Sequence, residues 1–468
     1  MPQSSNEEFR QAARQHADWI ADYFERIRDL PVLPSVEPGA LLDSLPKLAP
    51  ETGESFAAIL ADFEAKILPG LTLWNHPRFF AYFSNSSTPP SVLAEMLIAA
   101  LNVNGMLWKS GPAATELEQV TLSWLRQWLG LPEQFFGIIY DTASVGVLHA
   151  IAAARERTAP EYRTSGMHPD LTVYVSEQTH SSAEKAAITL GFGQNNVRRI
   201  GVDSAFAMRP ELLEEAILRD VSAGKRPCCI VASVGSTSTT AIDPIPEIAA
   251  IAESFGIWLH VDAAYGGSAA VVPEMRWLLA GVDRADSLIL NPHKWLYVGM
   301  DCSVLYTRFP DILRRAFSLS AEYLRTPEDD RVVNYMDYGI QLGRRFRALK
   351  LWYVFRYYGR QGIINLLRET LRLARLFESW VAADPAFELC APAPLSLICF
   401  RHRSGNESNE RLLAEINRSG DAFLSHTVLN GRYVLRFAIG NFQTDEADLD
   451  AVWRLICATA AELVGAPA

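Results

Sequence analysis

Lys294 follows His293 at the end of a short apolar run, residues 288–290. A primary amine placed there, beside a binding cleft, can condense with a carbonyl group to form a Schiff base. An isolated lysine is more commonly a surface charge, so its neighbours must carry the reading. Asp262 ends a second run, 257–262, and His260 stands two residues before it, so both side chains share one face of a strand. A carboxylate at a buried strand end needs a cationic partner, because an unpaired buried charge is costly; a protonated heterocycle or a structural arginine would serve. His180 lies beyond a third run, 171–175, and Thr142-Ala143-Ser144 beyond a fourth, 137–140. Small residues opening a helix leave backbone N–H groups for a phosphate at the positive end of the dipole, and an ordinary threonine N-cap fits the same residues. Taken singly, His180 and His260 read as satisfied core histidines. A metal-dependent hydrolase using His260, Asp262 and His293 is the competing chemistry, but His-x-Asp with a distant third ligand is a weak zinc pattern and leaves Lys294 without a role.

These residues are scattered in sequence, and a mostly parallel sheet would gather them. Short β-rich runs at 171–175, 229–234, 257–262 and 288–290 alternate with capped helical segments, which predicts an α/β fold. Ligands of such sheets bind beyond the carboxyl ends of the strands, where the four polar groups stand. Ser181 and Glu184 suggest a capping box for a helix ending at Gly191, and Asp243 suggests the cap of a helix that Gly256 closes. Gly191-Phe192-Gly193 follows a helix instead of a strand and reads as a turn. Residues 7–30 place apolar side chains at helical spacing before Pro31, predicting an N-terminal helical arm. More helical pattern follows over 55–130, broken by the aromatic stretch from Trp74 to Phe83 and by Pro89-Pro90. Beyond 360 the pattern predicts a long helix, strands near 395–401, a helix near 407–418, a hairpin at Asn430-Gly431 and a last helix over 445–464, an α+β C-terminal domain. The expected division is 1–85, 86–360 and 361–468. Arg344, Arg345, Arg347 and Lys350, interleaved with Phe346, Leu349 and Tyr353, predict a packed helix with ion pairs in preference to a nucleic-acid surface.

Composition agrees. The 468 residues are 49% hydrophobic and 21% charged, in the globular range. A net charge of −11 offers no general field for nucleic acid or anionic lipid. No run approaches the roughly 20 apolar residues of a membrane span, and Asn6-Glu7-Glu8 is wrong for a signal peptide; the expected compartment is the cytoplasm. The six cysteines show no metal-binding spacing, so no metal is expected.

The run Asn291-Pro292-His293-Lys294-Trp295 resembles the cofactor-lysine motif of the pyridoxal-phosphate-dependent group II amino acid decarboxylases, particularly the aromatic-L-amino-acid decarboxylases. It is accompanied, in the family's order, by residues 76–83 (His-Pro-Arg-Phe-Phe-Ala-Tyr-Phe), 115–118 (Thr-Glu-Leu-Glu), 260–268 (His-Val-Asp-Ala-Ala-Tyr-Gly-Gly-Ser) and 342–347 (Leu-Gly-Arg-Arg-Phe-Arg). The resemblance therefore covers nearly the whole chain. It implies a fold-type I, aspartate-aminotransferase-like homodimer that binds pyridoxal 5'-phosphate near the subunit interface and an amino acid substrate. By motif position, Lys294 would hold the cofactor, Asp262 would pair with its ring nitrogen, and His180 would stack on the ring with Ala264 on the other face. Ala143, Ser144, Asn291 and His293 would surround the phosphate, Thr237 would lie near the ring, and Gly343 would reach the phosphate from the other subunit. Tyr323 matches the mobile-loop tyrosine that delivers a proton after carbon dioxide leaves.

For the substrate, the resemblance implies an aromatic wall of Trp74, Tyr82 and Phe83. Met106 and Met300 stand where animal aromatic decarboxylases often have phenylalanines, and Asn104 replaces an aliphatic residue. Met336 and Tyr338 depart from the basic residue and tryptophan common there. Dopa, tyrosine, tryptophan and phenylalanine all fit such a pocket, since methionine adapts to several ring shapes. On the same cofactor, an aldehyde synthase or an aminotransferase competes with simple decarboxylation, which Tyr323 and His180 favour.

Overall fold

The computed structural model describes residues 6–319 and 326–465. The chain forms two compact units: Met1–Tyr82 with Arg401–Phe437 and Gln443–Ala468, and Phe83–Phe400 with Ala438–Phe442.

The second unit is built on a seven-stranded sheet. Its strands are β1 (Phe136–Tyr140), β2 (Leu171–Ser176), β3 (Val197–Ile200), β4 (Arg226–Ser233), β5 (Trp258–Asp262), β6 (Ser287–Leu290) and β7 (Ser303–Thr307), in the spatial order β1-β7-β6-β5-β4-β2-β3. The five neighbours from β6 to β3 are parallel, and β7 runs antiparallel to both β6 and β1. β2, β5, β6 and β7 are buried at every position, which is why they read as continuous apolar runs without alternation. The α/β expectation and its strands hold, with ends shifted by one to three residues.

The helix Ala143–Thr158 lies on this sheet and buries Val147, Ala150, Ile151 and Ala154. Gly146 makes that approach possible. A Cβ there would stand 1.9 Å from the Ile289 side chain, and Ile289 is paired with Asp262 across β5 and β6. A single missing methyl thus lets the helix start close beside β6, the strand paired with the one that ends in Asp262.

Two cap assignments are corrected. His180, not Ser181, caps the helix Ser181–Thr189, its Nδ1 accepting the Ser182 N–H at 3.2 Å. Asp243 does not cap Ile245–Phe255; its carboxylate accepts the N–H groups of Met208 and Ser233, each at 2.7 Å, and so ties the end of β4 to a neighbouring loop. Gly256 does close that helix in the left-handed region, and Gly191 and Gly193 form a turn with positive φ. The basic cluster makes the expected ion pairs, but the helix Ala348–Ala383 begins after Arg344, Arg345 and Arg347.

In the first unit the helix Asn6–Arg26 buries only Ala12 of its own residues. Arg28 and Arg78 meet the buried Asp448 carboxylate, each at 3.0 Å. The Asn430-Gly431 turn joins antiparallel strands as expected, both residues having positive φ. Helices Asn406–Ser419 and Glu446–Gly465 complete the C-terminal pattern.

Candidate active site

One cleft of about 180 Å³ opens at the carboxyl ends of the parallel strands. Its lining includes Ala143, Ser144, His180, Thr237, Asp262, Ala264, Asn291, His293, Lys294 and Phe83. Ten residues proposed from sequence are therefore brought together from six separate segments.

The elements fix each group. Asn291 leaves β6 with its N–H on Ala264 O at 3.1 Å, and Lys294 N–H closes the turn onto Asn291 O at 2.9 Å. The Asn291 Oδ1 accepts the Ser303 hydroxyl at 2.6 Å. His293 and Cys302 bond reciprocally: His293 N–H reaches Cys302 O at 3.2 Å, and Cys302 N–H reaches His293 Nδ1 at 3.0 Å. Nδ1 being an acceptor, the His293 proton lies on Nε2. Burial, reinforced by the neighbouring Lys294 ammonium, pushes this imidazole down to about 3, so it is neutral at physiological pH. His180 behaves alike: its Nδ1 accepts from Ser182, and desolvation lowers its basicity against the opposing charge of Asp262. Asp262 is 9% exposed and its Oδ1 accepts the Ala264 N–H at 3.0 Å. The Lys294 Nζ lies 5.2 Å from the Phe83 ring centre; Phe83 stacks on Tyr265 at 3.8 Å, and Tyr265 on Trp295 at 4.7 Å.

The donor set fits a phosphorylated pyridine aldehyde. Thr142 occupies the N-cap position of Ala143–Thr158, yet its side chain makes no capping bond, so the first N–H groups of a helix whose Ala143 and Ser144 line the cleft have no side-chain cap from Thr142. The phosphate reading of this turn is thereby favoured over the plain threonine cap. Asp262 offers the anion that a ring cation requires, Ala264 is small enough for a flat ring to approach, and Lys294 supplies the amine.

Sequence reasoning missed Ser182, Ser233, Gly235, Ser236 and Tyr265 in the lining. The strand-end rule, applied to the end of β4, would have found Ser233 to Ser236; Tyr265 lay within the 260–268 motif. Other expected residues are placed elsewhere. Asn104, Met106, Met300 and Gly343 belong to the same unit but do not line the cleft; Asn104, Met300 and Gly343 are exposed. Trp74 and Tyr82 belong to the first unit, where their rings stack at 5.6 Å. Tyr323 lies outside the described residues. The metal-hydrolase alternative is corrected: His260, Asp262 and His293 form no ligand cluster, and among the described residues no group of three or more His, Cys, Asp or Glu could hold a metal.

An amine, a ring-nitrogen carboxylate and a helix N-terminus at one strand-end cleft define a fold-type I pyridoxal-phosphate enzyme. The pyridoxal-dependent decarboxylase conserved domain matches residues 38–403, and the chain belongs to that family of carboxy-lyases. It is 43% identical to tyrosine decarboxylase 2 of Arabidopsis thaliana, over 94% of this chain and 84% of that one. It is 42% identical to phenylacetaldehyde synthase of the same plant, over 96% and 95%. The crystal structure of Oryza sativa TDC with PLP and tryptamine superposes with a TM-score of 0.96 at 36% identity, covering 99% of each chain.

Proposed function

We propose that this protein removes the carboxylate of an aromatic L-amino acid and releases the amine, using pyridoxal 5'-phosphate held by Lys294. The observation that carries the reading is the meeting of Lys294, Asp262 and His180 in one cleft beside the open N-terminus of Ala143–Thr158. When bound, the cofactor supplies an electron-withdrawing ring that accepts the electron pair left by carbon dioxide. Lys294 would hold the cofactor's aldehyde group through its Nζ amine. Asp262 keeps a proton on the ring nitrogen. Ala143, Ser144 and the Nε2–H of His293 orient the phosphate, with Asn291 fixing the turn that carries His293 and Lys294. The His180 ring, set by Ser182, would stack on the cofactor, with Ala264 and Thr237 also holding its ring. Tyr323 would deliver the proton to the substrate Cα, and Phe83, which lines the cleft, would bear on the aromatic side chain.

The enzyme acts as a homodimer in the cytoplasm. Three features support the dimer: the Asn6–Arg26 helix buries only Ala12, the Pro89–Leu101 helix exposes Leu93, Met96, Leu97 and Leu101 at helical spacing, and Gly343 lies on the surface beside Asn104 instead of in its own chain's cleft. No helix among the described residues is long and apolar enough to cross a membrane.

The test is a product analysis with dopa, tyrosine, tryptophan and phenylalanine. One amine per carbon dioxide is expected from at least one of them. Aldehyde, ammonia and peroxide in place of amine would establish the synthase reading, which the 42% relative keeps in view; no carbon dioxide from any of the four would remove the aromatic assignment.

A further inference from the structure

His260 is fully buried in β5, opposite Ser287 of β6. Its Nδ1 lies 2.8 Å from the Ser287 hydroxyl, and the Trp258 indole N–H donates to the same oxygen at 2.9 Å. An indole nitrogen can only donate, and a serine hydroxyl has one proton to give. A serine oxygen could accept from both, but Ser287 is fully buried and its hydroxyl makes no other hydrogen bond among the described residues, so its proton finds a partner only if Ser287 accepts from Trp258 and donates to His260 Nδ1, which places the single proton of the neutral imidazole on Nε2. Burial holds the ring down to about 4 against the opposing charge of Asp262. His260 Nε2 is buried and has no hydrogen-bond partner. An orphaned buried donor is rare and costly, and a ring needed only to fill the core would carry no such group. Asp262 stands two residues on, on the same strand face, and His260 is not part of the cleft lining.

We propose that His260 is a positioning residue for Asp262. The relay from Trp258 through Ser287 locks its tautomer, and the fixed Nε2–H dipole supports the Asp262 carboxylate from within the sheet. Asp262 is then held with Oδ1 on the Ala264 N–H and Oδ2 left for the cleft. The inference rests on the reading of Asp262 as partner of the cofactor's ring nitrogen.

Two measurements decide it. In the full chain labelled with 15N-histidine, the signal that Ser287→Ala converts to a tautomer mixture should, without that substitution, carry its proton on Nε2 and fail to titrate between about pH 6 and 8. A His260 signal with the proton on Nδ1, or titrating in that range, overturns the proposal. This arm needs no cofactor and no mutation of His260 itself. In the cofactor-loaded protein, His260→Phe should shift the pH titration of the visible band by about one unit and lower kcat by about tenfold, with a smaller change in KM, and His260→Gln, which keeps an N–H donor, should recover part of both. Wild-type spectra and kcat in His260→Phe, alongside a crippled Asp262→Asn, overturn the inference and leave the Asp262 assignment standing. An unimpaired Asp262→Asn overturns that assignment and the inference with it. Should His260→Phe not fold, the same band is read in Ser287→Ala: a shift in the same direction supports the relay, and an unchanged band with an altered tautomer overturns it.

Discussion

The cleft and the surface around Asn104 and Gly343 are held in opposite ways. In the cleft, each functional side chain stands at the end of a buried strand or the start of a helix, and backbone bonds fix it: Lys294 through Asn291, His293 through Cys302, Asp262 through Ala264. The surface cluster is held at the edge of the sheet instead. Asn104 Oδ1 accepts the Arg344 N–H at 3.0 Å and Gly105 N–H returns to Arg344 O at 2.9 Å. Arg344 is in turn pinned by Glu118, at 2.8 Å, and both side chains bond the backbone of Ile139 on the edge strand β1. An ion pair thus stands where a further strand would pair. The cleft groups come from strand ends and helix starts of one chain, whereas the outer cluster depends on one buried charge pair and is not part of the cleft lining.

The largest effect should come from the cleft. Asp262→Asn is expected to retain cofactor through the phosphate while losing roughly two to three orders of magnitude in kcat, the scale of removing one electrostatic group from an active site. Near wild-type turnover at saturating cofactor would show that the strand-end carboxylate is not the ring-nitrogen partner. Glu118→Gln probes the other region. It leaves Arg344 buried without its counter-charge, a loss of about 3 to 5 kcal/mol, and should weaken dimerisation before it weakens cofactor binding. Light scattering and cofactor titration separate the two, and equal weakening of both would erase the distinction between the regions.

Gly146→Ala joins packing to site. Its new methyl group would overlap Ile289, and overpacking of a buried contact costs about 1 to 3 kcal/mol. Because Ile289 pairs with Asp262, cofactor affinity should fall along with thermal stability; an unchanged affinity in a destabilised protein would detach the helix start from phosphate binding.

Acid should act more weakly and on the whole molecule. Burial lowers His76 and His260 to about 4 and His149 and His293 to about 3. Below their ordinary value of 6.5 the unfolded chain takes up protons that the folded chain refuses, so stability falls with pH, on the order of 1 kcal/mol per pH unit for each group. Asp243, raised to about 6, and Asp286, also raised, oppose this below about pH 6 by binding protons in the folded state. His180, also lowered by desolvation, joins the four histidines, and five groups against two predict a net loss from pH 7 to 5, read as a lower urea midpoint; a rising midpoint would contradict the assignment of neutral buried histidines.

The same contrast explains what the sequence made legible. Strands buried on both faces announce themselves as apolar runs, and the polar residues that end them are the cleft, so Lys294, Asp262, His180 and Ser144 could be read from pattern alone. The role of Asp243 could not, because an aspartate ahead of a helix looks like a cap, and only the fold shows it serving Met208 and Ser233. Ser287 and Trp258 gave no signal either: the bonds that set the His260 tautomer cross between strands 27 residues apart or more. Arg344 and Glu118 were quoted as motif residues, but their contact spans 226 positions and follows no local rule.

The account stands on one chain's strand ends holding the cofactor at a single amine. Borohydride reduction of the cofactor-loaded protein, followed by peptide mapping, tests it directly. The label is predicted on Lys294 alone and should vanish in Lys294→Ala, since among the described residues no other primary amine lines the cleft. A reducible adduct on another lysine, or one that survives in Lys294→Ala, would contradict it.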